Sequence, residues 1–347
     1  MNARERLRRL LKWVGLADVA KKMICGLRRV LCTRDLWLFY MSVGDLRPYL
    51  REFRSQALRY GFRDDNGRKT WCEYLVVLNE IGLTCEFNKA IDRFIAGGTL
   101  NVHALARYLP LAAILEQRGI DDPVVKRAAS VYRILRDQHL SGVFLDMVKD
   151  KTIAVVGNGP SELGKGLGGE IDAHDYVIRI NNHTLEGFEK DYGTKADIWV
   201  KHTTDYIKHD VPEESIKLIM YASNWMREQM PDAFMDAILH DSKKRLVDFC
   251  GIENRVSVSE RFMIHPLTGT LVIDMLYRSE MKYADVYGFS FLETDGGGYR
   301  HYVNDMSSEK LKKEVGVHNT DLETKYLKSL FGEGRRLYPI TKQGDNK

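Results

Sequence analysis

The chain has 347 residues, room for two modest domains around a sizeable core. Its 44% apolar and 29% charged residues are the balance of a soluble globular protein, and a net charge of +4 gives no global reason to expect nucleic acid. No apolar run approaches the roughly 18 residues of a membrane span, and no apolar h-region followed by a small-residue cleavage site opens the chain, so neither a spanning segment nor a signal peptide is expected.

Residues 1–36 form a basic segment. Arg4, Arg6, Arg8, Arg9, Lys12, Lys21, Lys22, Arg28, Arg29 and Arg34 stand against Glu5, Asp18 and Asp35. Leu7, Leu10, Leu11 and Val14 recur at helical spacing beside Trp13, which describes an amphipathic basic helix. Two readings are open: a peripheral anchor on an anionic membrane surface, or the solvated face of a helix docked on its own domain. From 37 to about 150 the pattern stays helical. The spacing predicts helices over Trp71–Ile81, Phe87–Ile95, Val102–Leu115 and Val124–Leu135, punctuated by Gly97-Gly98, Gly119 and Asp121-Asp122-Pro123. Asp122 reads as an N-cap with Pro123 at the first helical position. Cys25, Cys32, Cys72, Cys85 and Cys250 have no metal-like spacing and read as free buried thiols in a reducing compartment. The pairs His202/His209 and His174/His183 lack the flanking pattern of a zinc site, so no metal is expected.

Near residue 150 the pattern changes to alternating strands and helices, the mark of an α/β layer fold. Candidate strands are Ile153–Val156, Tyr176–Ile180, Asp197–Lys201, Ile216–Tyr221, Arg255–Val258 and Asp285–Phe289. Candidate helices are Pro231–His240, Thr270–Met281, Lys310–Val315 and Thr320–Phe331. The first strand is a short continuous apolar run, as in a parallel sheet buried on both faces. It breaks into Gly157-Asn158-Gly159-Pro160-Ser161, where glycine would let backbone N–H groups approach an anion. The second strand ends in Arg179 and Asn181, which suggests a nucleotide crevice at the carboxyl edge of the sheet. Gly157, Gly159 and Gly164 give G-x-G-x4-G, which misses the dinucleotide spacing, and Asn181 stands where an NAD site would want an acid. On these residues alone, a nucleotide loop and a plain turn both remain open.

Further on, His265-Pro266-Leu267-Thr268-Gly269-Thr270 leads into an apolar helix, with Thr268 as the expected N-cap and Gly269 exposing backbone to a phosphate or merely to a cap. His301-Tyr302 follows Gly296-Gly297-Gly298, and His318 opens His318-Asn319-Thr320-Asp321-Leu322-Glu323. A histidine at a helix start can titrate near neutrality and serve a cleft.

These pieces, in this order, resemble glycosyltransferase family 29, the sialyltransferases. Gly157-Asn158, Gly169, Ile171-Asp172, His174-Asp175, Val177, Arg179 and Asn181, continued by Gly187-Phe188, Asp191 and Gly193, resemble the family's long motif. His265 to Gly269 through Tyr287-Gly288-Phe289 resembles the short motif, His301-Tyr302 the third, and His318-x4-Glu323 the very short one. The resemblance covers residues 151 to about 331. It implies a GT-A-like variant Rossmann fold with a central, mostly parallel sheet, here preceded by a helical N-terminal region. It also implies inverting transfer of sialic acid from CMP-sialic acid to a hydroxyl of a glycan or glycolipid, with no cofactor and no metal. Asn158, Gly159 and Asn181 are then the expected CMP contacts, with Thr268, Gly269 and Thr270 near the phosphate or ribose. His301 would bind the phosphate and His318 act as general base.

The chain also departs from the animal pattern. Ile153 stands at the cysteine position of the long motif, and the short-motif position falls near Glu280 or Met281, so the family's disulfide cannot form. Asn158-Gly159-Pro160 replaces Asn-Ser-Gly, and Gly157 to Ser161 also resembles the bacterial sialyltransferase family 42. A bacterial-type, cytoplasmic protein, peripheral on the inner membrane face, is the expectation. CMP-Kdo is the alternative donor, and a dinucleotide-dependent oxidoreductase or a catalytically dead binding module are rival classes. The expected organisation is a basic segment over 1–36, a helical region of open role over 37–150 and a catalytic domain over 151–347.

Overall fold

The computed structural model describes residues 43–140, 142–202, 213–223, 226–262, 266–289, 320–331 and 335–340. The basic segment 1–36, the expected helix Lys310–Val315, His301 and His318 lie outside the described residues.

The N-terminal half is helical, as its spacing predicts. It contains α1 (Leu50–Tyr60), α2 (Asp65–Glu80), α3 (Thr84–Ile95), α4 (Thr99–Ala106), α5 (Leu109–Gln117), α6 (Pro123–Leu140) and α7 (Val143–Val148). Helix α2 starts a turn and a half earlier than its apolar pattern, because Asp64 accepts from the Gly67 N–H at 2.7 Å and caps it. The expected single helix Val102–Leu115 is two, α4 and α5. Pro110 has no N–H to give, and its ring would strike the carbonyl of Ala106, where α4 stops. Asp122 caps α6 as predicted, its Oδ1 accepting from the Val124 and Val125 N–H groups at 2.8 and 3.2 Å.

Among the described residues the C-terminal half carries a seven-stranded sheet. Its strands are β1 (Thr152–Val156), β2 (Tyr176–Ile180), β3 (Ile198–Lys201), β4 (Leu218–Tyr221), β5 (Leu246–Phe249), β6 (Tyr283–Tyr287) and β7 (Arg336–Leu337). The spatial order is β5-β4-β3-β2-β1-β6-β7, parallel throughout except for the antiparallel β6–β7 pair. Its helices are α8 (Gly168–Asp172), α9 (Glu189–Tyr192), α10 (Asp232–Asp241), α11 (Ile252–Phe262), α12 (Thr268–Tyr277) and α13 (Thr320–Leu330). The expected strand Arg255–Val258 is instead part of α11. Arg-Val-Ser-Val alternates like a strand over four residues, but burial falls on Arg255, Val258 and Ser259, which is helical spacing. The strand in that region is β5, whose polar Asp248 and exposed Leu246 hide its apolar signal.

Alternation along the strands divides the core. Ile153, Val155, Ile178, Ile180, Val200 and Met220 face one side, with α12 and α13. On the other side, Ala154, Val156 and Val177 pack with Ile171 and Tyr192. Farther along that second face, Trp199, Ile219, Tyr221 and Phe249 share a core with the N-terminal helices. The helical half therefore covers the second face of β3 and β4, which is why those two strands are apolar on both faces, and it packs on Val247 and Phe249 of β5. Polar links reinforce the junction. Buried Arg227, in the loop after β4, donates through Nε to Glu80 at 2.8 Å and through Nη1 to the Val43 carbonyl at 2.7 Å. His139 of α6 bridges Asp248 and Glu253, each at 3.1 Å, and those hydrogen bonds push its pKa up to about 10, so it is held as a cation.

Among the described residues no helix is long and apolar enough to cross a membrane. Cys72 and Cys250 are buried free thiols as expected, while Cys85 is exposed.

Candidate active site

Strand β1 lies between β2, which follows it in the chain, and β6, which returns on its other side. The carboxyl edge at β1 is thus where the strand order reverses, the usual ligand crevice of an open α/β sheet.

The glycine loop after β1 does not work as its spacing suggests. The Gly157 N–H donates to the Tyr287 carbonyl at 2.8 Å and the Gly159 N–H to the Gly288 carbonyl at 2.7 Å. Both donors are spent on joining the ends of β1 and β6, so neither can serve an anion. The glycines are needed for close approach. A Cβ on Gly157 would lie 2.7 Å from the Gly288 oxygen and 2.8 Å from the Phe289 ring. Gly288, at φ +69°, is left-handed and would drive a Cβ into the Gly157 backbone. Gly159 also accepts from the Tyr192 hydroxyl at 2.7 Å, so it shapes the loop and offers a donor substrate no N–H.

Asn158 and Asn181 end adjacent strands, as expected. Asn158 donates from Nδ2 to the Ile180 carbonyl at 2.9 Å. Its amide oxygen is the atom outside that bond. Asn181 sits at φ +53°, uncommon for a side chain other than glycine but tolerated by asparagine. Its Oδ1 accepts from the His202 N–H at 2.9 Å and its carbonyl from Trp199 Nε1 at 2.9 Å. The ends of β2 and β3 are thereby stapled, and Asn181 keeps its amide nitrogen as the group to offer.

Several residues of the long-motif match prove to be braces. Arg179 is fully buried and donates to the Lys195 and Tyr192 carbonyls at 2.9 and 2.8 Å, so it does not line a nucleotide crevice. Asp172 accepts from the Thr194 and Lys195 N–H groups, and Asp191 from those of Gly164 and Gly166. His174 Nε2 meets Asp285 at 3.3 Å, and Arg336 grips the same carboxylate at 2.6 and 2.8 Å. Burial opposes ionisation of Asp285, but Arg336 and His174 overcome it and hold the carboxyl at about 2. Among the described residues no group of three or more His, Cys, Asp or Glu side chains is arranged to hold a metal ion.

Helix α12 enters the same region. A Cβ on Gly269 would stand 2.5 Å from the Phe289 ring and 3.7 Å from Ile180 Cδ1, so α12 begins pressed against the ends of β6 and β2. Thr268 is not the N-cap; it is the first helical residue, behind Leu267. The end is capped from another element. Glu323 of α13, fully buried, accepts the Leu267 N–H at 2.8 Å. The Thr270 side chain is also fully buried and faces the same carboxyl without reaching normal hydrogen-bond geometry. Any donor contact by Thr270 is left to its backbone N–H, one of the first-turn donors an α-helix leaves open. Burial raises the Glu323 pKa to about 7, against the lowering effects of Thr270 and the Leu267 N–H.

Two buried carboxylates escape a reading of composition and spacing. Glu323 was visible only as the last position of the very-short-motif match. Glu162 gave no signal at all, being one acid in a polar loop; it accepts from the Gly288 N–H at 3.2 Å and pairs with Lys165 and Arg335, each at 3.4 Å. Together the described elements bring Asn158, Asn181 and Gly269 around Ile180 and Phe289.

The model of glycosyltransferase family 29 (sialyltransferase) matches residues 128–267, from within α6 to the residue before α12. Sialyltransferase-like protein 2 of Oryza sativa subsp. indica is 44% identical over 72 residues, 21% of this chain and 17% of that protein. CMP-N-acetylneuraminate-beta-galactosamide-alpha-2,3-sialyltransferase 2 of Mus musculus is 26% identical over 208 residues, 54% of this chain and 56% of that protein. The chain spans about half the length, or less, of these curated relatives. A mammalian sialyltransferase solved with Gal-beta-1-3GalNAc-ortho-nitrophenol aligns over 64% of this chain and 81% of its own, at 18% identity and a TM-score of 0.39. These relatives are plant and animal proteins, and it is to glycosyltransferase family 29 that the chain is similar over residues 128–267.

Proposed function

We propose that this protein is a metal-independent, inverting glycosyltransferase that moves sialic acid from CMP-sialic acid to a hydroxyl of a glycan or glycolipid. The observation that carries the reading is the convergence of Asn158, Asn181 and the start of α12 at the reversal point of a parallel sheet, with both asparagines inside the segment 128–267 that is similar to the sialyltransferase family. The Asn158 amide oxygen and the Asn181 amide nitrogen are suited to a pyrimidine or ribose. The first turn of α12 supplies N–H donors and the positive end of its dipole for one phosphate. In the reaction the acceptor oxygen bonds to the anomeric carbon, its proton passes to His318, and the bond to the CMP phosphate breaks with the electron pair leaving on CMP. His301 stabilises the departing phosphate. The carboxylate beside the anomeric carbon marks the sugar as an acidic keto-sugar, and CMP-Kdo is the second donor of that chemistry. The bacterial-type assignment rests on Ile153 and on Gly159-Pro160.

In this reading residues 151–347 are the catalytic domain, 37–150 are the helical region whose described helices cover β3 to β5, and 1–36 attach the protein to the inner face of an anionic membrane from the cytoplasm. The deciding experiment is a donor panel in EDTA. CMP release is expected from CMP-sialic acid, with thermal stabilisation by CMP over UMP and NAD. Turnover of a UDP-sugar with neither CMP donor used, stabilisation by NAD, or activity that requires added magnesium would each overturn a part of the proposal. Release from CMP-Kdo alone would keep the mechanism and change the sugar.

A further inference from the structure

Helix α1 buries Phe53 and Ala57 against α2 and turns a different set of residues outward. Arg51, Arg54, Ser55, Leu58 and Arg59 fall within one face at spacings of three, four and seven or eight residues, and all are exposed. No acid lies on that face; Glu52 sits half-buried on its flank. Over residues 47–63 the chain carries Arg47, Arg51, Arg54, Arg59 and Arg63 against Glu52 alone. One large apolar group stands among the arginines, Leu58, which is 54% exposed. A headgroup layer accepts both the cations and the apolar tip of Leu58. The position also suits a surface-bound enzyme. Arg227, in the loop after β4, holds the Val43 carbonyl ahead of α1 and Glu80 at the end of α2. The chain therefore enters α1 on the carboxyl-edge side of the sheet, the side of Asn158 and Asn181.

We propose that the outer face of α1, through Arg51, Arg54, Leu58 and Arg59, docks on an anionic lipid surface. This surface belongs to the folded body and is separate from the basic segment 1–36, whose ten cations it extends. The claim does not depend on the glycosyltransferase reading, because its test reads binding and not turnover.

The experiment is sedimentation of the full chain with phosphatidylcholine vesicles, with and without phosphatidylserine. Binding is expected only with phosphatidylserine and is expected to weaken as salt is raised. The Arg51→Gln/Arg54→Gln/Arg59→Gln variant should bind about a hundredfold more weakly, from about fivefold per lost charge near the surface. The matching triple Arg→Lys variant should bind like the parent, and Leu58→Ala should bind several-fold more weakly. All these side chains are exposed, so thermal melting should be unchanged. The proposal is overturned if the triple Gln variant binds like the parent, if binding ignores phosphatidylserine or salt, or if only substitution of Arg4, Arg6, Arg8 and Arg9 releases the protein.

Discussion

Replacing His318 with alanine is expected to leave CMP affinity nearly intact and to lower transfer by roughly 10²–10⁴-fold, the usual range for loss of a general base. The acceptor hydroxyl is a poor nucleophile until its proton is taken, and an imidazole with a pKa near 6.5 is matched to that task near neutral pH. Donor hydrolysis supplies the control. An attacking water can pass its proton to neighbouring water, whereas an acceptor hydroxyl held in the site depends on the positioned base, so hydrolysis in His318→Ala should fall less than transfer. His301→Ala should slow both reactions, because stabilising the departing phosphate serves either nucleophile. Transfer at near-normal rates in His318→Ala removes that residue from the mechanism. Hydrolysis at full rate in His301→Ala, with transfer reduced, moves His301 to the acceptor side.

The alternation of strands and helices after residue 150, and the first four strands, were legible because parallel strands covered on both faces are short continuous apolar runs. The ends of β1 and β2 could be placed for the same reason, and with them Asn158 and Asn181. Strand β5 was not legible, because Asp248 in its middle answers His139 of α6, more than a hundred residues away. No local pattern announces such a partner. The chemistry of the glycine loop was misread on similar grounds. Spacing cannot tell a glycine that bares its N–H to a ligand from one that lets two strand ends touch, and Gly157, Gly159 and Gly288 do the second. Thr268 looked like an N-cap because the actual cap, Glu323, lies on another helix. In each case a local rule gave way to a tertiary contact.

Glu323 gives the other large effect, and it is linked to pH. Its carboxyl titrates near 4.5 when unfolded and at about 7 in the folded protein, where burial disfavours the anion. Between those values the native state holds more protons than the unfolded chain, so stability falls as pH rises. The loss begins near pH 4.5 and is complete once the pH has passed about 7. A shift of this size corresponds to about 3 kcal/mol, at about 1.4 kcal/mol per pH unit. Glu323→Gln removes the ionisation while keeping an oxygen to accept the Leu267 N–H. Relative to the parent, the variant is expected to gain about 3 kcal/mol between pH 4.5 and pH 8 in denaturant unfolding. The same ionisation should be felt by a ligand, since an anionic Glu323 at the start of α12 opposes the phosphate that the helix dipole favours. CMP should therefore bind the parent less well than Glu323→Gln above pH 7, and about equally well below pH 6. Stability curves of the two proteins that run parallel across this range would show that burial does not raise the Glu323 pKa there, and would remove the pH dependence expected of CMP binding.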